Sequence, residues 1–484
     1  MEILWSVLAG VCVALLFSLA IFIHEFGHFL AARWLGLQVD AFAIGFGPAL
    51  WKRTVGGVEY KIGCVPFGGY VALPQLDPSG MEKVQGENHG GKKEEERDLP
   101  DIAPWKRIVV AFAGPFGNLV LAVVLAYAIF FSPGVKTGVV DTRVGSVSEE
   151  SAAWAAGLRA GDRILTVNGK KVETWTDLQI ENQLSGESGH AVFVVQRGQE
   201  RRSFDLTFET NNVVGIKVLE GVYPEMFCMV AAVVPGSPAE QGGLQTNDVI
   251  VAVGHTPVRG AHHFSTLIKQ QGAVPARLAL KRGTERLSVS VTPRFDEKEG
   301  RHLIGIQPRD GSEHVKAWMM YRSPWKQLKW DSMSVVRVLQ SLVTPKSEGE
   351  RKAVAKNVGG PIAIVMGLYD TVRGDLMEGI GFLRMICVNL AILNLLPLPV
   401  LDGGHILFAL FEIITRRKPH PKVVAVLVNA CAVLLIGLMA LLVYSDIAKR
   451  VRINKALRAL EREAELVESA QAQPAVTNAP PAQP

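Results

Sequence analysis

Long apolar runs alternate with polar stretches along this chain of 484 residues. A helix needs roughly 20 apolar residues to cross the hydrocarbon core of a bilayer. Runs of about that length or more occupy residues 1–32, 105–131, 379–405 and 423–445. Because the first run is longer than a signal-peptide core and lacks a basic leader, we expect it to remain as a span. The pattern therefore predicts a polytopic α-helical membrane protein with four spans.

Shorter patterns lie between the predicted spans. Residues 33–104 begin with two β-favouring runs around a Val-Gly-Gly turn, which predicts a membrane-associated β-hairpin followed by a mobile loop. The polar region after the second span contains a weak repeat, VGSVSEESAAWAAGLRAGDRILTVNGKKV and VAAVVPGSPAEQGGLQTNDVIVAVGHTPV. Each copy contains a strand, a short helix ending at Gly-Leu and a second strand, so we predict two inserted β domains, at 136–210 and 213–293. The remaining segments are a connector with amphipathic helices at 294–378, a loop at 406–422, and a basic helix with a disordered tail at 446–484.

The composition agrees with spans joined to soluble parts. Hydrophobic residues make up 48% of the chain and the mean hydropathy is +0.21, which is high for a soluble enzyme and low for a protein embedded throughout in lipid. The net charge is only +5, and no basic stripe with interleaved aromatic residues occurs, so we expect no nucleic-acid partner. The five cysteines are scattered without a Cys-x-x-Cys pair, which argues against a disulfide framework.

The second half of the first span contains the sequence HEFGH, which places ionisable groups in an apolar helix. His24 and His28 are four residues apart, so they share one helix face and can bind one Zn²⁺. Glu25 lies beside them, where it could take a proton from water and pass it to a leaving amine. A helix contact lined with polar residues is the alternative, but every ionisable group in a span is costly. The motif therefore favours a zinc site.

A third ligand is expected from the stretch NLLPLPVLDGGH, which runs from Asn394 to His405. Asp402 is its only carboxylate, and the surrounding prolines and glycines loosen the helix. Non-helical backbone at membrane depth is tolerated where protein or water covers it. A turn that ends the span, with Asp402 as a cap, is the alternative. In the four-span topology this stretch and HEFGH reach the same membrane face, which favours Asp402 as the third ligand.

Several motifs occur in a specific order: HEFGH, GFGPALWKR, PFGGYV, AGPFGN, GGPIAI and NLLPLPVLDGGH. In this combination the chain resembles the site-2 protease family of intramembrane zinc metalloproteases, in particular its regulator-of-sigma-E type. The resemblance covers almost the whole chain. It implies that His24, His28 and Asp402 bind Zn²⁺, that Glu25 is the general base, and that Asn394 helps to hold the substrate backbone or the transition state.

The two repeats resemble PDZ domains of bacterial proteases, which are small β-sandwiches with two helices. The second copy departs from that pattern at Asn247, where a glycine usually precedes the aspartate, and at Gly254-His255, which replaces Asn-Gly. The resemblance implies that both repeats are PDZ domains, and these departures leave the turn geometry of the second open.

The hairpin is a candidate substrate site. A helix hides its peptide bonds in its own hydrogen bonds, so a protease that cuts a membrane helix must first unwind it. The hairpin could hold the unwound segment on an edge strand, whereas packing of the hairpin on the spans alone is the alternative. The candidate substrate-binding residues are Phe67, Gly68, Gly69 and Tyr70.

The distribution of positive charge predicts the orientation in the membrane. Lys and Arg are concentrated in short loops on the side of HEFGH, at residues 33–61, 106–107 and 416–422, so we expect this side to face the cytoplasm. The basic residues at 449–455 disagree, because they follow the fourth span and would lie outside. We expect a bacterial inner-membrane protein with its PDZ domains outside the cytoplasm and its active site near the cytoplasmic face.

The resemblance implies an endopeptidase that cuts single-span membrane proteins, with a pre-trimmed anti-sigma factor and remnant signal peptides as substrates. The PDZ domains are expected to contact extracytoplasmic substrate ends or to exclude substrates with bulky outer domains. An inactive PDZ scaffold, a zinc enzyme acting on soluble substrates and a metal transporter are the alternatives. The intact HEFGH and LDGG motifs argue against the scaffold, and spans two and four carry no evident ligands for transport.

Overall fold

The computed structural model describes residues 2–76, 101–133, 140–184, 190–210, 217–297, 299–311, 319, 321–345 and 359–472. Within these ranges, four helices are long and apolar enough to cross a membrane, namely Leu4–Trp34, Pro104–Phe131, Leu376–Asn394 and Pro421–Lys455. The chain is therefore a membrane protein. Most of the predicted mobile loop and the last residues of the predicted tail lie outside the described residues.

The elements are numbered in chain order. The helices are α1 (Glu2–Trp34), α2 (Pro104–Phe131), α3 (Ala152–Ala155), α4 (Trp175–Leu184), α5 (Pro238–Gln241), α6 (Ala261–Gln271), α7 (Pro324–Val343), α8 (Pro361–Gly374), α9 (Leu376–Asn394), α10 (Asp402–Thr415) and α11 (Pro421–Ala472). The strands are β1 (Ala41–Val55), β2 (Val58–Ala72), β3 (Val144–Val147), β4 (Arg163–Val167), β5 (Lys170–Lys171), β6 (His190–Arg197), β7 (Glu200–Thr207), β8 (Glu209–Thr210), β9 (Lys217–Val218), β10 (Val222–Pro224), β11 (Cys228–Val233), β12 (Val249–Val253), β13 (Thr256–Pro257), β14 (Ala276–Arg282), β15 (Glu285–Val291), β16 (Arg294–Asp296), β17 (Arg301–Leu303) and β18 (Ile306–Asp310).

Helices α1 and α2 approach each other closely at glycine residues. A Cβ atom on Gly27 would lie 2.8 Å from the carbonyl carbon of Ala113, and one on Gly117 would lie 2.7 Å from the carbonyl oxygen of Ile23. Small residues of this kind allow the backbones of membrane helices to pack closely. The contact continues through buried apolar residues, among them Ala20, Leu121, Ala122, Leu125 and Ala126.

The third predicted span is interrupted within its proline-containing motif. Helix α9 ends at Asn394, and α10 begins at Asp402 after a non-helical segment. A Cβ atom on Gly403 would lie 2.6 Å from the carbonyl carbon of Leu395, and one on Gly404 would also meet the backbone of this segment. The two glycines therefore let the first turn of α10 pack directly on the non-helical segment.

The hairpin between α1 and α2 forms a small sheet of four segments. Ala43 pairs with both Lys61 and Tyr70, so residues 41–44 of β1 lie between the two halves of β2. Residues 69–72 form one edge of this sheet, and no second described strand pairs with them. This edge is close to α1, because a Cβ atom on Gly69 would lie 3.0 Å from Cγ of Glu25.

Two β domains follow α2, and each contains an equivalent Asp–Arg ion pair. The first contains the sheet β5-β4-β6-β7, and the second contains the sheet β15-β14-β12-β11-β18. Asp162 in the first domain is 1% exposed, and its Oδ1 lies 2.6 Å from Nε of Arg197. Asp248 and Arg282 repeat this pair in the second domain at 2.8 Å. Burial favours a higher pKa for Asp248, but hydrogen bonds from Arg282 and from the backbone of Gln245 hold the pKa below its usual value.

The turns before these aspartates also correspond. Asn247 has a left-handed φ of 73°, and Gly161 has a φ of 89° at the matching position of the first domain. Asparagine enters this region more readily than most side chains. The substitution of asparagine for glycine therefore preserves the left-handed turn that the sequence left in question.

Both β domains extend further along the chain than the repeat predicts. Strand β10, which ends at residue 224, pairs with β3 of the first domain. Strand β18, which ends at residue 310, pairs with β11 of the second domain. Both strands lie outside the repeated pattern, so the repeat alone does not indicate them.

Helix α7 bridges the first β domain and the membrane helices. Arg384 of α9 is 1% exposed and donates hydrogen bonds of 2.7 and 3.2 Å to the carboxylate of Asp331 on α7, which is 0% exposed. Arg337 of α7 lies 3.7 Å from two carboxylates of α4, those of Asp177 and Glu181. Helix α9, which ends at the break before Asp402, is thus connected through α7 to the first β domain.

Replacement of Asp331 or Arg384 by Ala should destabilise the protein by about 3–5 kcal/mol, because the remaining charge would be buried without its partner. Arg384 also donates to Gln327 at 2.5 Å, so apolar residues at all three positions should recover most of the loss. Thermal unfolding of the full-length protein in detergent measures both effects. Arg202→Ala, which breaks an exposed pair with Glu200, is the control and should cost less than about 1 kcal/mol. Single variants as stable as the wild type would contradict this role of the buried pair.

Candidate metal centre

His24, His28 and Asp402 converge where the C-terminal part of α1 meets the start of α10. The Nε2 atoms of the two histidines lie 3.3 Å apart, and each lies 3.4 Å from an oxygen of Asp402. The side chains are 14%, 12% and 19% exposed, respectively. The structure therefore brings together, in a largely buried cluster, the three residues that the sequence predicts as zinc ligands.

The spacing of these atoms fits a zinc ion. Ligand atoms that bind Zn²⁺ at about 2.0–2.1 Å with tetrahedral angles lie about 3.3–3.4 Å from one another. The separations of 3.3 and 3.4 Å in the cluster have this size. Oδ2 of Asp402 is buried and receives no hydrogen bond from the described residues, and such an oxygen is costly unless a cation neutralises it. The cluster thus offers three atoms at the spacing of zinc ligands, and three protein ligands with a fourth position for water are typical of catalytic zinc sites.

Helix α2 contacts both imidazole rings at their Nδ1 atoms. Nδ1 of His28 lies 2.8 Å from the carbonyl oxygen of Val110, so Nδ1–H can donate there while Nε2 faces the cluster. Nδ1 of His24 lies 3.4 Å from the side-chain amide of Asn118. Contacts of this kind orient metal-binding histidines and select their tautomer.

A cavity of about 290 Å³ opens beside the cluster. Glu25, the predicted general base, lines it together with Asn394 and His405. Nδ2 of Asn394 lies 3.4 Å from Nε2 of His24, so its amide is close to the ligands. The cavity thus combines a carboxylate outside the ligand set, an amide donor and space for a substrate, which is the arrangement needed for metal-assisted hydrolysis.

The predicted substrate-binding residues of the hairpin lie at different distances from this cavity. Gly69 and Tyr70 line it. Gly68 precedes them in β2 with a φ of 89°, and a Cβ atom there would overlap the ring of Phe46. The backbone of Phe67 belongs to β2, whereas its side chain lies outside the described part of the structure.

Three residues of the site were missed by sequence reasoning. Val110 contributes only a backbone oxygen, which leaves no signal in the sequence. Asn118 ends the motif AGPFGN and is an amide inside a span, which could have drawn attention to it. His405 lies one helical turn after Asp402 on α10, and that spacing could have placed it at the same cavity.

A histidine–carboxylate cluster beside a second carboxylate, held by apolar helices, defines a membrane metallohydrolase. A model of Peptidase family M50 matches residues 12–438, and the chain belongs to that family of metalloproteases. Protease RseP of Yersinia pestis is 30% identical over 472 residues, which cover 93% of this chain and 100% of the relative. Regulator of sigma-E protease RseP of Escherichia coli is 30% identical over 470 residues, with coverage of 93% and 100%.

Two further similarities are more distant or more local. A Neisseria meningitidis protein provisionally named a zinc metalloprotease is 29% identical over 460 residues, which cover 90% of this chain and 98% of the relative. A solved PDZ domain from Listeria monocytogenes aligns with 19% of this chain and 93% of its own, at 19% identity and a TM-score of 0.16. The full-length relatives thus match the chain through its spans and its β domains alike.

Gly27→Ala should separate α1 from α2 and move the histidines away from their contacts on α2, because the added Cβ would overlap the backbone at Ala113. We expect bound metal and proteolytic activity to fall at least about tenfold. Elemental analysis of the purified protein measures the metal. Gly10→Ala is the matched control on the same helix, since a Cβ atom there meets nothing within 4 Å. Full metal content in Gly27→Ala would show that the close approach is dispensable.

Proposed function

We propose that the chain is a zinc-dependent intramembrane endopeptidase of the site-2 type, which hydrolyses peptide bonds within the transmembrane segments of single-span membrane proteins. One observation carries this proposal. His24 and His28 lie on a helix that is apolar enough to span a membrane, and Asp402 completes their cluster from the break in another span. A site enclosed by spans favours a substrate that is itself within the membrane.

His24, His28 and Asp402 would hold the zinc ion. When bound, zinc supplies Lewis acidity toward the scissile carbonyl group and lowers the pKa of water. The carboxylate of Glu25 takes a proton from the attacking water and delivers it to the nitrogen of the leaving amine. Nδ2 of Asn394 lies 3.4 Å from Nε2 of His24. From this position the amide would donate a hydrogen bond to the carbonyl oxygen of the scissile bond as negative charge develops there.

An unwound substrate would pair with the edge of the sheet formed by residues 69–72. Strand addition of this kind fixes an extended peptide through main-chain hydrogen bonds. Gly69 supports this role because it packs against Glu25, which keeps the edge strand next to the general base. The absence of a side chain at Gly69 allows this close approach of β2 to α1, because a Cβ atom there would also lie 3.1 Å from Cγ2 of Ile21.

Both β domains would be PDZ domains on the extracytoplasmic side of a bacterial inner membrane. The repeated Asp–Arg pair and the matching turns support one fold for the two domains. In the proposed topology they face away from the zinc site, so they would contact the outer ends of substrates and exclude those with bulky outer domains. The names of the RseP relatives refer to sigma-E regulation, and we propose a pre-trimmed anti-sigma-factor-like protein and remnant signal peptides as substrates.

Glu25→Gln should lower the rate of cleavage of single-span substrates by about 100-fold or more, because the general base is lost, while zinc content stays unchanged. Purified protein in detergent, a panel of single-span substrates and elemental analysis provide the measurement. Glu149→Gln, at an exposed position of the first β domain, is the control and should cut normally. A zinc chelator should stop cleavage by the wild type.

The same experiment separates the proposed protease from its rivals. A PDZ scaffold would need neither zinc nor Glu25, and a protease of soluble substrates would cut outside the apolar segments. Mapping the cleavage site by mass spectrometry therefore decides the matter. Wild-type protein that makes no chelator-sensitive cut within a span would overturn the proposal.

Deletion of residues 140–311, which removes both β domains including β18, should allow cleavage of full-length substrates that the intact protein cuts only after trimming. The physical reason is the loss of a steric barrier at the extracytoplasmic face. The assay compares full-length and trimmed forms of one substrate in cells. The same deletion combined with Glu25→Gln is the control. A deletion variant that still cuts trimmed substrates and spares full-length ones would rule out the size filter.

A further inference from the structure

The side chain of Asn118 lies in an unusual setting within α2. It is 1% exposed, and its Nδ2 is placed 3.4 Å from Nδ1 of His24. Its oxygen Oδ1 receives no hydrogen bond from the described residues. A buried amide oxygen without a donor costs free energy, so the surroundings of this side chain should explain its presence.

The geometry of His24 supplies that explanation. Its Nε2 faces Nε2 of His28 and Oδ2 of Asp402, which is the position of a metal ligand. A neutral imidazole that binds metal through Nε2 carries its proton on Nδ1, and Nδ1–H then needs an acceptor. His28 meets this need with the backbone oxygen of Val110.

We propose that Asn118 is a positioning residue, whose Oδ1 accepts a hydrogen bond from Nδ1–H of His24 and so holds the ring and its tautomer for metal binding. This inference rests on the proposed zinc function. The two ends of an amide have nearly the same shape, so the chemistry of the neighbours decides which end faces the ring. With the nitrogen toward His24, Nδ1 would be the acceptor, and Nε2 would carry the proton and could not bind metal.

With this assignment, α2 provides a hydrogen-bond acceptor for Nδ1–H of both histidines. Val110 and Asn118 are eight residues apart on that helix, and they contact His28 and His24, which are four residues apart on α1. One contact uses the backbone and the other a side chain, so only the second can be altered by substitution without disturbing the helix. Asn118 is therefore the position at which this role can be tested.

The zinc affinity of the full-length protein in detergent, measured by competition with a chromogenic chelator, tests the proposal. Asn118→Leu should lower the affinity about 10–100-fold, because it has no acceptor. Asn118→Asp should bind zinc within a few-fold of the wild type, because a carboxylate accepts hydrogen bonds but donates none. Val124→Ala shortens an exposed apolar side chain on the same helix and should leave zinc affinity unchanged.

Two outcomes would overturn the proposal: wild-type affinity in Asn118→Leu, or a folded Asn118→Asp protein that binds zinc as weakly as Asn118→Leu. If Asn118→Asp does not fold, the ¹⁵N signals of His24 in the zinc-loaded wild type decide, since zinc on Nδ1 would exclude the proposed hydrogen bond. Wild-type protein that binds zinc but cuts no membrane substrate would refute the proposed protease and leave this inference standing, whereas wild-type protein without zinc affinity would refute both.

Discussion

Two imidazoles and a carboxylate can be buried among apolar helices only if a cation shares their charge and neighbouring groups orient their rings. The arrangement of the membrane helices follows from this requirement. Helix α1 carries the histidines, α10 begins at Asp402, and α2 contacts Nδ1 of both rings. The glycines between α1 and α2 bring Val110 and Asn118 close enough to reach the rings, because a side chain at Gly27 would hold the helices apart.

The proposed reaction needs access for an extended chain, and the cavity lies at the break between α9 and α10. Because the helix stops at Asn394 and restarts at Asp402, one ligand and one amide donor face the cavity from adjacent helix ends. The edge formed by residues 69–72 lies on another side of that cavity and close to Glu25. The predicted ligands, the predicted base and the edge strand thus surround a single space, as the proposed hydrolysis of an unwound peptide requires.

The β domains form separate hydrophobic cores, yet they are not independent of the membrane part. Each is organised by a buried Asp–Arg pair that the other repeats. Helix α7 connects the first of them to α9 through Asp331 and Arg384. Because α9 ends at the break beside the cluster, a displacement of α7 would act on the element that positions Asn394.

The sequence alone determined the parts of this protein that depend on local patterns. Apolar length predicted the four membrane helices, and the spacing of His24 and His28 predicted a shared helix face, since both follow from geometry within one segment. The pairing of these histidines with Asp402 required the order of the spans, which the sequence also contains. Only the tertiary structure decided that Asn118 and the backbone oxygen of Val110 contact the histidines, that Arg384 meets Asp331, and that β10 and β18 close the β domains. These contacts join segments that are distant in the chain, and their formation depends on how closely the helices and sheets pack, which no local pattern of residues specifies.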